Sequence, residues 1–142
     1  MKIIESDFSN QIIKSVESRL GNIFFFKHLA VVELNEGVHF DMSNASLIIN
    51  ELNSYFGNST PYGVVANRIN SYSVNLIETP LFRKKAKNLY AYGVVGHDLG
   101  SKMNAEMEND FCISEKVDYD TINEAFNGVN NKIIKRSSFT LN

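Results

Sequence analysis

The chain has 142 residues, which fits one domain and leaves little room for two. An apolar fraction of 44%, with ten Phe and six Tyr, is enough for a packed core and excludes a disordered chain. Charged residues make up 21% and the net charge is -2, so there is no basic face for wholesale nucleic-acid binding, and a single cysteine, Cys112, excludes an intrachain disulfide.

The first residues, Met1-Lys2-Ile3-Ile4-Glu5-Ser6-Asp7, lack the apolar stretch of a signal peptide. The longest apolar clusters, residues 23–26 and 29–32, are split by Lys27 and His28 and are far too short to cross a membrane. A cytoplasmic protein with no transmembrane segment is expected.

The first forty residues read as strands. Ile13, Phe24, Phe26, Val31 and Val32 are β-formers in short runs, Gly21-Asn22 is a turn signal between the first two, and Asn35-Glu36-Gly37 ends the third. The period then changes. Ala45, Ile48, Ile49, Leu52 and Phe56 fall on one stripe of a helix, with Asp41 or Ser43 to cap its start and Gly57 to end it. Residues 62–69, with Gly63-Val64-Val65-Ala66 at their centre, are small and apolar almost throughout. This predicts a strand buried on both faces, as in a parallel sheet. A second helical region is expected from about Ser73. Within it, Pro80 takes a first helical position behind a Thr79 cap, and the helix runs to about Ala86.

Residues 89–96 repeat the pattern of a small apolar strand. Met103 and Met107, four apart, predict a further helix, and residues 111–115 a further strand. Asp118 or Asp120 would cap a last helix with the stripe Ile122, Ala125, Phe126, Val129 and Ile133. No pattern continues past Lys135. The order predicts a single α/β domain over 1–142, its core at about 11–133 and a tail at 134–142. Its sheet would be mixed but mostly parallel, with about five strands and about four helices, and antiparallel strands at the N-terminal edge. The strands at 62–69 and 89–96 belong near its middle.

Little in the chain resembles a catalytic set. His39 near Asp41 and His97 beside Asp98 have no metal-ligand spacing and read as polar residues at strand ends. Cys112, within an apolar run, reads as a small hydrophobe. Gly93, Gly96 and Gly100 match no phosphate-loop spacing and read as small residues for close helix–sheet packing. No enzyme activity, cofactor or metal is expected. The cluster Arg83-Lys84-Lys85-Ala86-Lys87 reads first as a solvated face and second as a site for an anionic partner.

Residues 67–73, Asn67-Arg68-Ile69-Asn70-Ser71-Tyr72-Ser73, leave a buried strand and are almost entirely polar. In open α/β sheets, ligands and partners bind beyond the carboxyl ends of the strands. Asn67, Arg68, Asn70, Ser71, Tyr72 and Ser73 are therefore the expected binding residues, with Arg68, Asn70, Ser71 and Ser73 on an exposed polar surface. Cap and turn chemistry is the plainer alternative for the same residues.

Two segments carry a family resemblance: Glu33-Leu34-Asn35-Glu36-Gly37-Val38-His39-Phe40, and Asn67 to Ser73 continued by Val74. From the strand around Phe24 to the helix ending near Val129, the layout resembles the STAS or SpoIIAA-like domains, which include STAS/SEC14-like proteins. The resemblance implies an SpoIIAA-like fold and a non-enzymatic regulatory or protein-interaction role, with an as yet unnamed protein partner. In anti-sigma-factor antagonists of this family, a serine after the central strand is phosphorylated, and Ser71 or Ser73 would correspond. This chain has Asn70 where those proteins carry an acidic residue, and no glycine follows. SEC14-type relatives imply the alternative, a small-molecule or lipid-binding module with an apolar pocket under the helices.

Overall fold

The computed structural model describes residues 1–96 and 118–140. Strands β1 (Lys14–Ser18), β2 (Gly21–Phe25) and β3 (Leu29–Leu34) form an antiparallel meander. A two-residue strand β4 (His39–Phe40) and helix α1 (Met42–Phe56) follow. Strand β5 (Tyr62–Arg68) then lies parallel to β3. A second two-residue strand, β6 (Ser73–Val74), leads through a short 3-10 turn into helix α2 (Thr79–Lys85). Strands β7 (Leu89–Gly96) and β8 (Asp118–Tyr119) and helix α3 (Ile122–Thr140) complete the described chain.

Among the described residues the main sheet has six strands in the order β1-β2-β3-β5-β7-β8, antiparallel through β3 and parallel beyond it. Both strands expected near the middle, β5 and β7, are interior. Their composition explains the placement, since small and β-branched residues on both faces suit a strand covered twice. The helix at Met103 and Met107 and the strand at 111–115, with Cys112, lie outside the described residues.

Side-chain alternation along β5 divides the core. Tyr62 and Val64 pack under α1, whereas Val65 packs under α3. The predicted stripe of α1 is buried at all five positions, and so is that of α3. Asp41 caps α1 by accepting from Asn44 N–H at 2.9 Å. Gly57 follows the helix with φ 83°, a conformation that a β-carbon disfavours.

Five local expectations are corrected. The first hairpin turns at Arg19 and Leu20, and Gly21 already belongs to β2. No helix begins near Ser73, because that residue pairs with His39 in a small parallel β4–β6 sheet. Helix α2 begins at Thr79 itself, because the preceding 3-10 turn has already set Glu78 in helical conformation. Helix α3 is capped by Thr121, whose hydroxyl accepts from Glu124 N–H at 3.1 Å. Asp118 lies in β8 beside Val94, too far upstream to reach the free N–H groups. The patternless tail is helical to Thr140, and the Arg136 guanidinium stacks 4.4 Å from the centre of the Tyr90 ring.

The core also begins earlier than residue 11. Ile3 is fully buried, and Phe8 stacks on Phe126 with ring centres 3.9 Å apart. The N-terminal segment shares a core cluster with Phe24 and Val31 of β2 and β3, on the face that α3 covers over β5 and β7.

One core group is badly solvated. Tyr62 is fully buried, stacked on Phe56 at 4.7 Å, and its hydroxyl has no hydrogen-bond partner among the described residues. Burial pushes its pKa up to about 12 from 10.0. The neutral phenol is thus favoured in the fold, and the associated stability is complete below pH 10 and lost as pH rises toward 12. Tyr62→Phe is expected to match or exceed the parent by up to about 1 kcal/mol at neutral pH. The gap should widen above pH 10, the ordinary phenol value. Urea unfolding at both pH values checks this, and a variant clearly weaker at pH 7 would show that the hydroxyl is satisfied.

Candidate functional site

Residues 67–73 occupy the carboxyl end of β5, as expected, but they are built as a brace. Asn67 is fully buried on the α3 side. Its amide donates to Glu33 Oε2 at 2.7 Å and to the Met1 carbonyl at 2.8 Å, and Glu33 also accepts from Ile3 N–H at 2.7 Å. Two acceptors fix the orientation of the amide, which leaves Asn67 Oδ1 buried without a partner among the described residues. The cluster ties the N-terminal segment to the sheet.

Arg68 is only 2% exposed, contrary to the expected surface position. Its guanidinium donates to the Tyr72 carbonyl at 2.7 Å and lies 4.0 Å from the centre of the Tyr72 ring. Asn70 donates to the Leu34 carbonyl at 3.0 Å, and Ser71 N–H donates to Glu36 Oε2 at 2.9 Å. Gly37 N–H returns to the Ser71 carbonyl at 2.8 Å. Ser73 Oγ meets His39 Nδ1 at 2.7 Å. His39 and Asp41 do not converge, since one joins the brace while the other caps α1.

Ser71 and Ser73 remain exposed, and Asn70 and Tyr72 are half-buried. Neither serine caps a helix, because none starts there. A phosphate on Ser71 would lie close to the Glu36 carboxylate rather than at a cluster of free N–H groups, and like charges oppose that. His97, Asp98 and Gly100 fall outside the described residues.

The feature best suited to hold a ligand is an apolar cavity of about 90 Å³, partly open, between the sheet and the two helices α1 and α2. Val32, Leu34, Val64 and Ala66 form its floor on β3 and β5. Ile48, Ile49 and Leu52 of α1, Phe82 of α2 and Ala86 just after that helix enclose it. Phe40 and Val74, from the β4–β6 pair, contribute as well. Tyr72 and Tyr92 carry the only polar side-chain atoms on its wall among the described residues. The brace thus positions the cavity, since Arg68 holds Tyr72 and the pairing of β4 with β6 sets Phe40 and Val74.

In the sequence, a pocket under the helices is only an alternative that the SEC14-type resemblance implies, without its residues. Ala66 and Ala86 are the signal the sequence held. Each is a small side chain facing other apolar residues, and from sequence alone such a residue reads as close packing rather than as missing volume. The chain matches no protein-family model and no curated protein sequence.

Proposed function

We propose that this chain is a non-enzymatic binding module that holds a small apolar ligand, or the apolar end of a larger one, between the sheet and α1 and α2. The observation that carries this reading is the cavity of about 90 Å³ with its apolar wall. An apolar cavity of roughly 150 Å³ stays dry and takes up benzene. A smaller, partly open one suits a few carbon atoms with the remainder of the ligand outside. Ligand sites of this kind are mostly apolar with a few polar groups, and Tyr72 and Tyr92 are the described lining residues here that carry one. The SEC14-type side of the STAS resemblance implies the same ligand class.

A second reading, a regulatory domain that contacts a protein partner at residues 67–73, keeps one supporting observation: Ser71 and Ser73 are exposed. The internal bonds of that segment count against it, since most of its polar groups are used in bracing.

The test is a titration of the full chain with benzene and with straight-chain carboxylates of increasing length, followed by methyl NMR of Ile48, Leu52 and Val64. Saturable shifts in those methyls are expected, with a rise in Tm as ligand binds the folded state alone. Ala66→Leu or Ala86→Leu, whichever folds, should fill the cavity and remove both effects. A folded parent chain with no saturable shift for any probe would end this reading.

A further inference from the structure

Ile77 is 91% exposed and Leu81, one helical turn on, is 49% exposed. Fold stability gives no reason for two aliphatic side chains four residues apart to stay in water, because single exposed apolar residues are ordinary but two so close in the chain are less so. Helical spacing puts Lys84 and Lys85 on the same side of α2 as Leu81, at i+3 and i+4, while Phe82 and Ala86 turn inward to the cavity. From residue 79 to residue 97 the chain has four cations, Arg83, Lys84, Lys85 and Lys87, and no Asp or Glu.

Among the described residues, two carboxylates on the neighbouring elements are already engaged. Glu78 accepts from Asn75 Nδ2 at 2.7 Å and from Met42 N–H at 3.5 Å, and Asp41 caps α1. Lys84 and Lys87 are exposed, whereas Lys85 is half-buried and donates to Ser46 Oγ at 2.9 Å. The chain as a whole is net negative, so this patch is a local reversal of sign.

We propose that the outer face of α2 and the turn before it dock on an anionic lipid bilayer surface, with Ile77 and Leu81 entering the headgroup boundary and Lys84 pairing with lipid phosphate. The combination of groups selects this partner. A nucleic acid or an acidic peptide would reward the cations but leave the aliphatic pair in water. A stable protein interface needs on the order of 800 Å² from each side, more than one short helix and a turn supply. A bilayer rewards a small protruding element that carries both kinds of group. The same helix and the residue just after it enclose the cavity through Phe82 and Ala86, so docking would bring the proposed ligand site to the membrane. The surface itself stands on different residues from that site and does not depend on it.

The experiment is flotation of the full chain with vesicles of phosphatidylcholine alone and of phosphatidylcholine mixed with phosphatidylglycerol. No cavity ligand is added, so the result is independent of the reading above. Binding is expected only to the anionic vesicles and should weaken with salt. Lys84→Gln should reduce partitioning roughly fivefold, from about one lost phosphate attraction. Ile77→Asn with Leu81→Asn should reduce it roughly tenfold or more, with Tm unchanged because both side chains are exposed. Three results would overturn the proposal. One is no partitioning to anionic vesicles. Another is full partitioning in the aliphatic variant, which would mark a general anion surface. The third is a parent dimer that becomes a monomer in that variant by light scattering, which would make a second copy the occupant.

Discussion

Replacing Phe126 by Ala is expected to cost about 3–5 kcal/mol, the range for deleting a buried aromatic. Phe126 is 4% exposed, on the stripe of α3 that meets the sheet. Its ring stacks on Phe8 at 3.9 Å and meets Phe26 edge-on at 4.8 Å. It therefore joins three parts of the chain: the N-terminal segment, the segment after β2, and α3. Truncation opens a cavity on the α3 face and removes the surface on which Phe8 rests, so the loss should fall in the upper half of that range. Phe8→Ala alone should cost less. The two changes should not add, because each removes the same stacked pair. Urea unfolding of the two single variants and the double variant measures this. A loss under about 1 kcal/mol for Phe126→Ala, typical of surface positions, would mean that α3 presents another face to the sheet.

The parts of the fold that could be read from sequence are those whose signal is local and periodic. The stripes of α1 and α3 repeat over several turns, and each stripe residue is buried. The two-sided apolar runs at β5 and β7 carry their own evidence of an interior position. The parts that could not be read depend on partners far away in the chain. Asn67 and Arg68 are polar residues at a strand end, and polarity there predicts exposure. Their burial is permitted by Glu33, by the Met1 carbonyl 66 residues away, and by the Tyr72 ring. The β4–β6 pair involves two residues on each side, too few for a period. The N-terminal segment has only Ile3 and Phe8 to show for its role, and nothing local says that either is core. For the candidate site, the segment was legible as a strand end at the right place in the sheet, with cap and turn chemistry as one of its two readings, but the distant partners of that brace, Glu33, Glu36 and Met1, were not. The cavity arises from what Ala66 and Ala86 lack.

Gly63→Val is the second change expected to have a large effect, about 3 kcal/mol or more, at the upper end of overpacking losses. Gly63 lies on the α3 face of β5, paired with Ala91 of β7. A β-carbon there would run into Val129 Cγ1, with the Ala91 carbonyl at 3.3 Å and Ile133 Cγ1 at 3.5 Å. On the neighbouring strand, a β-carbon at Gly93 would lie 3.0 Å from the other Val129 methyl and 3.2 Å from the Tyr119 ring. The two glycines form a hollow that Val129 fills, and α3 sits as close to the sheet as it does because neither position has a side chain. Valine at 63 suits a strand intrinsically, so propensity opposes the predicted loss and only packing can produce it. This separates the two terms. Gly63→Ala combined with Val129→Ala should recover at least about 1 kcal/mol relative to the sum of the single losses, since losing the Val129 methyls removes the clash at 63 and the new methyl at 63 partly fills the space they leave. Chemical denaturation of the four variants decides the matter. A Gly63→Val protein within about 1 kcal/mol of the parent would place α3 farther from the sheet than its contacts with Gly63 and Gly93 require.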